Sequence, residues 1–171
     1  MRDWQMQGEP EDHFARKINE YFEHSVGWRL DSGKITSRGS EIFEASVRAV
    51  IPVMQESGLQ TAEREIHEAL TDLSRRPKPD LTGAIQHAMA ALECVARKAC
   101  GDPNPTLRKL LERHSGLIPK PLDSAVEKAW GFASERGRHI REGEEPTRAD
   151  AELIVGIAAT VATFLARKLP D

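Results

Sequence analysis

Residues 130–146 read Trp-Gly-Phe-Ala-Ser-Glu-Arg-Gly-Arg-His-Ile-Arg-Glu-Gly-Glu-Glu-Pro. This charged stretch joins two apolar segments of helical period, and reading it as the connection of a helical hairpin decides the fold of the C-terminal half. Before it, Leu122, Ala125, Val126, Ala129, Trp130 and Ala133 form one helical stripe. After it, Pro146 and Thr147 suit the start of a helix, and Asp150 sits favourably near the positive N-terminal end. Leu153, Ile154, Ile157, Ala158, Val161, Phe164 and Leu165 then make that helix apolar almost all round. Such a helix belongs at the centre of a bundle or is shared with a second subunit. Its apolar run, Leu153 to Ala166, is 14 residues long. A membrane span needs about 20, so a core helix and no membrane association are expected.

Toward the N-terminus the pattern stays helical. Leu81, Ile85, Ala88, Leu92, Val95, Ala96 and Ala99 share one face of a long helix capped by Asp80 or Thr82. Ala84, Ala88, Ala90, Ala91 and Ala96 are small enough for neighbouring helices to approach closely. Gly101-Asp102-Pro103-Asn104-Pro105 ends it, and Thr106 opens a short helix through Leu107, Leu110 and Leu111. Residues 80–171 are therefore expected to form an all-α bundle of four helices, one of them short.

Arg75-Arg76-Pro77-Lys78-Pro79-Asp80 is the clearest interruption, because two prolines forbid a continuous helix. It separates that bundle from a smaller N-terminal α unit, residues 1–76. There Phe14, Ile18, Tyr21 and Phe22 mark one helix after Pro10. Trp28 and Leu30 alternate with polar residues, Asp31-Ser32-Gly33 signals a turn, and Ile35 follows, which together predict a short β-hairpin near 28–36. Ser40 caps a helix whose apolar side is Ile42, Phe43, Val47, Val50, Ile51 and Met54, and Pro52 predicts a kink or break near residues 48–52. A further helix from Thr61 turns Ile66, Ala69, Leu70 and Leu73 inward and Glu63, Arg64, Glu65, His67 and Glu68 to water. The fold class is thus mainly α, a helical bundle preceded by a smaller α unit with a short β-hairpin.

Composition narrows function. Of the 171 residues, 24 are basic and 27 acidic, a net charge of -3, so nucleic-acid binding would need a local patch rather than a global field. The first ten residues are polar and lack a signal core. Cys94 and Cys100 lie six apart, which on a helix separates them by about 9 Å along the axis. Reduced, structural cysteines in a cytoplasmic protein are expected. Two thiols near His87 do not make a metal site, and neither a metal nor a cofactor is expected. Gly-rich phosphate loops, Gly-x-Ser-x-Gly and Cys-x-x-Cys are absent from the sequence. His13, His24, His67, His87 and His114 read as surface or packing residues. His87, beside Gln86 on a core-facing helix, is the one that would touch a site built elsewhere.

The connection carries the candidate chemistry. Arg138 and His139, with Arg136 and Arg141, place a titratable base beside permanent positive charges. Arginine forks recognise phosphate. Cleavage of RNA through its 2′-hydroxyl needs a base near neutrality and a cation for the developing charge, and no metal. The surrounding arginines favour the neutral, basic imidazole. The same residues also read as a solvated turn whose arginines pair with Glu135, Glu142, Glu144 and Glu145.

Several segments resemble a known family: residues 83–93 (Gly-Ala-Ile-Gln-His-Ala-Met-Ala-Ala-Leu-Glu), Thr106-Leu107-x-x-Leu110, Leu117-Ile-Pro-Lys-Pro-Leu122, and Trp130-Gly-Phe-Ala-Ser134 leading to Gly137-Arg138-His139. They are similar to the HEPN domains of bacterial abortive-infection proteins, and residues 39–73 with the hairpin before them resemble the N-terminal domains of AbiJ-type members. The resemblance implies an α-helical bundle that dimerises through its C-terminal helices. It implies a metal-independent endoribonuclease acting as a toxin or in antiviral defence, with RNA as substrate and an antitoxin or defence-system protein as partner. It implies catalysis by His139 and Arg138, phosphate binding by Arg136 and Arg141, and support from Glu142 and Ser134. The catalytic signature of that family is an arginine separated from the histidine by four to six intervening residues. Here those positions hold Phe132, Ala133 and Ser134, while Arg136 and Arg138 stand closer. The alternative implied by the same family is a catalytically silent dimeric module that binds RNA or protein.

Overall fold

A computed structural model describes residues 10–22, 28–31, 33–37, 39–138 and 145–169. The chain divides into two units, Met1–Gly39 and Ser40–Asp171. In the first, α1 (Pro10–Phe22) precedes the strands β1 (Trp28–Asp31) and β2 (Lys34–Ser37). The strands pair antiparallel, with Leu30 opposite Ile35 and Asp31 opposite Lys34. Gly33 takes the positive φ of 76° that the tight turn requires. The Asn19 side chain on α1 holds the hairpin edge as a strand would. Its amide donates to the Leu30 carbonyl and accepts from the Leu30 N–H, both at 2.7 Å.

The second unit contains α2 (Glu41–Glu56), α3 (Gln60–Ser74), α4 (Leu81–Cys100), α5 (Leu107–Arg113), α6 (Leu122–Arg138) and α7 (Arg148–Ala166). It is mainly helical, as the periodicity requires. α4 lies at its centre, packed against α3, α5, α6 and α7, while α7 also packs on α2. Alanines let these backbones meet. Ala84, Ala88, Ala91 and Ala96 on α4 and Ala158, Ala159 and Ala162 on α7 are wholly buried. Ile66, Ile85, Leu92, Leu107, Leu110 and Leu165 fill the space between them. Each buried aliphatic side chain of this size contributes about 1.5–3 kcal/mol of transfer free energy.

The helix ends follow side-chain chemistry. Ser40 accepts from the Phe43 N–H at 3.3 Å, and Asp80 accepts from the Gly83 N–H at 2.8 Å. Thr147 and Asp150 form a reciprocal capping box at the start of α7. Gly101 closes α4 in the left-handed region at φ 63°. Thr106 does not cap α5 with its side chain. Glu93 takes over that task from α4, accepting from the Leu107 N–H at 2.8 Å. The expected break at Pro52 does not occur, since α2 runs through it to Glu56. Pro52 and Arg48, whose carbonyl loses its partner, are both exposed, so water satisfies what the proline cannot.

The prolines of residues 75–80 form the turn between α3 and α4 inside the second unit. There Lys78 pairs with Glu145 at 3.1 Å, tying this turn to the segment that leads into α7. Cys94 and Cys100 are free and half-buried, and burial pushes both thiols up from their ordinary range. α7 is long and apolar enough to cross a membrane by length and composition, and 50% of that window is buried inside the protein. Its remaining apolar side chains are not all inside. Leu153 is 62% exposed, in a groove shared with Ile42 of α2 at 81%, and Phe164 is 38% exposed with the Lys168 ammonium 4.1 Å from its ring centre.

Candidate functional site

Three helices of the second unit enclose a cleft of about 330 Å³. α3 contributes Glu65, α4 contributes Gln86, His87, Met89, Ala90 and Glu93, and α6 contributes Trp130, Ala133 and Ser134. The space exists because Ala90 and Ala133 are small where α4 and α6 face each other, leaving Trp130 to wall one side. Polar groups line an otherwise apolar slot, the usual build of a ligand site.

His87 is the best-fixed polar group. Its Nδ1 lies 2.7 Å from Glu65 Oε2, and its Nε2 lies 3.7 Å from Asp72 Oδ2. An ionised carboxylate only accepts, so Nδ1 is the donor to Glu65. Glu65 and Asp72 stand seven residues apart on α3, two helical turns, and so face α4 together. Asp72 is buried, with Arg75 3.1 Å from its Oδ1. Arg75 also reaches Asp80 at 3.4 Å. Burial pushes the Asp72 carboxyl above its ordinary value, Arg75 pulls it down, Asp80 raises it, His87 lowers it and Glu68 raises it slightly.

The turn that delivers α4 to this cluster is tight. The Asp80 N–H donates to the Asp72 carbonyl at 2.9 Å. At Gly83 a β-carbon would press into Asp72 Oδ2 and lie 2.9 Å from the Asp80 carboxyl. Glycine there lets the first turn of α4 close against two carboxylates. On the far side of the cleft, Glu93 pairs with Arg97, whose Nε donates to the Pro105 carbonyl at 2.9 Å. The cleft is therefore rich in acceptors, and the charge of Glu93 is offset from behind.

Of the residues singled out in the sequence, Ser134 lies in the cleft wall, half-buried. Arg136 and Arg138 belong to the last turn of α6, which ends at Arg138, one turn beyond Ser134. Their side chains, and His139, Arg141 and Glu142 altogether, lie outside the described residues. His87, read from sequence as a packing residue, lines the cleft. Glu65, read as part of a wet face, is only 20% exposed and bonded to it. Asp72, Glu93 and Trp130 were not singled out as site residues. The available signal was the i, i+7 pair of acids on α3 combined with a polar Gln-His-x-x-x-x-x-Glu run on an otherwise apolar α4. Among the described residues no cluster of three or more His, Cys, Asp or Glu side chains is arranged to hold a metal ion. Comparison with family models, curated proteins and solved structures returned no match.

Proposed function

We propose that this chain is a HEPN-like protein of bacterial defence, of the abortive-infection or toxin type, acting in the cytoplasm as a homodimer and cleaving RNA without a metal. The observation that carries the reading is the course of α6. It supplies Trp130, Ala133 and Ser134 to the cleft and then runs one more turn to Arg138, directly ahead of His139. In this reading His139 takes the proton of the ribose 2′-hydroxyl, and Arg138, with Arg136 and Arg141, holds the phosphate being attacked. Ser134 and Glu142 support those groups. The exposed Leu153 and Phe164 support pairing through the C-terminal helices, since large apolar side chains at such positions favour a protein partner. The test is cleavage of cellular RNA in the presence of a chelator by wild-type protein and His139→Ala. Cleavage by the wild type alone is expected. Equal cleavage by both, or none by either, refutes the catalytic reading.

A second reading is favoured by one specific fact: no arginine stands at positions 132–134, where Phe132, Ala133 and Ser134 occur. It makes the chain a catalytically silent dimer that binds RNA or a protein of the defence system. That version expects intact RNA with both proteins, and RNA retention that weakens when Arg136, Arg138 and Arg141 are replaced together by Gln.

A further inference from the structure

We infer that the cleft between α3, α4 and α6 is a nucleobase pocket that takes an amino-bearing base, stacked on Trp130 and donating its amino hydrogens to Glu65 and Glu93. This deepens the RNA reading above and rests on it, since it names which part of the nucleic acid this face holds.

The shape comes first. A slot of about 330 Å³ walled by one aromatic ring and two alanines suits a flat group rather than a branched one. Trp130 is half-buried, with part of its surface available to the cleft. Single-stranded bases are recognised in this way, by stacking on an aromatic side chain with hydrogen bonds at the base edge.

The chemistry then selects among flat groups. Glu65 already accepts from His87, and Glu93 accepts from Arg97 and the Leu107 N–H. Each carboxylate oxygen retains a lone pair beyond those bonds. The cleft thus offers acceptors whose charge is partly compensated. A full cation gains less here than in a bare acidic pocket, whereas a neutral amino group finds suitable acceptors. Adenine, cytosine and guanine carry an exocyclic amino donor. Uracil has no exocyclic amino group: its one N3–H donor lies between two carbonyl oxygens, which the carboxylates repel, so it satisfies the pair less well. The position of the cleft agrees with the RNA reading, because α6 passes from Trp130 to Arg138 within eight residues. A base held at one point of this helix leaves its phosphate near the arginine run, at a distance of roughly two helical turns or less.

The test is calorimetric titration of the full chain with tetranucleotides of A, C and U and with the mononucleotides AMP, CMP and UMP. Oligo(A) and oligo(C) are expected to bind at least about tenfold more tightly than oligo(U). Trp130→Ala should lose about tenfold for oligo(A), and Trp130→Phe should restore most of that loss. Ala90→Phe should block the slot with the circular-dichroism spectrum unchanged. Tighter binding of oligonucleotides than of mononucleotides assigns the pocket to a base within RNA, and the converse assigns it to a free nucleotide. Equal affinity for A, C and U, or affinities indifferent to Trp130→Ala and Ala90→Phe, overturns the inference. Binding of an arginine- or lysine-rich peptide in place of nucleotides overturns it too, in favour of a protein partner. If His139-dependent RNA cleavage persists while the pocket variants change nothing, this inference fails alone. If no RNA is bound or cleaved at all, the reading beneath it fails as well.

Discussion

Replacing Gly83 by alanine should destabilise the protein, although alanine is the better helix former. The new β-carbon would overlap Asp72 Oδ2 and stand 2.9 Å from the Asp80 carboxyl, closer than real contacts allow. Neither carboxylate is free to swing away. Asp80 caps α4 through the Gly83 N–H at 2.8 Å, and Asp72 is buried beside Arg75 and His87. Moving Asp80 forfeits a helix cap of about 1 kcal/mol. Displacing Asp72 adds overpacking strain of about 1–3 kcal/mol. The propensity gain of alanine over glycine returns about 1 kcal/mol. The net loss expected is about 1–3 kcal/mol, so with a urea slope of about 2 kcal/mol/M the unfolding midpoint should fall by about 0.5–1.5 M. Gly131 provides the opposite case. It lies inside α6, and a β-carbon added there would meet nothing within 4 Å. Gly131→Ala should therefore raise stability by up to about 1 kcal/mol. Urea titrations of both variants read the comparison directly. A Gly83→Ala protein at least as stable as wild type would refute the packing of α4 against Asp72.

Three further outcomes are expected. Leu92→Ala, at a fully buried position of α4, should cost about 2–5 kcal/mol in the same titration. The raised carboxyl of Asp72 has a definite sign. The folded state holds that proton more tightly than the unfolded chain, so its contribution is complete below the ordinary value of 3.8 and is lost as pH rises through the raised one. Asp72→Asn lacks this titration, so its stability relative to wild type should improve as pH rises across that window, and a flat or falling difference would contradict the assignment. If the proposed homodimer pairs through its C-terminal helices, Leu153→Glu with Phe164→Glu, both on the outward side of α7, should leave helix content intact while light scattering reports monomer where the wild type reports dimer, and a wild type that is already monomeric would refute that pairing.

Much of the helical unit is legible because its determinants are local. The capping box at Thr147 and Asp150, the Asp80 cap and the apolar stripes of α4 and α7 each lie within a few residues of one another, and helical period alone places them. The cleft is illegible for the opposite reason. Glu65 and His87 are 22 residues apart, and Glu93 caps a helix 14 residues on, so their roles depend on how α3, α4 and α5 pack. Charge on α3 signalled solvent, yet Glu65 turned inward because His87 offered it a donor. Whether Pro52 breaks α2 was open in the sequence for a similar reason: it depends on which side of the helix faces water, and no periodicity states that the orphaned carbonyl lands there. The arginine-histidine run is visible to the eye at once, whereas Trp130 and Ser134, on the same helix just before it, join the cleft only through the packing of α6 on α4.

RNA binding along α6 and the residues after it is tested most directly by ultraviolet cross-linking of the full-length protein to single-stranded RNA, followed by mass spectrometry of the adducted peptides. Adducts are expected on the segment from Trp130 to Arg141, including Trp130 itself. RNA adducts confined to other segments, or none at all, would contradict the proposed role of this face.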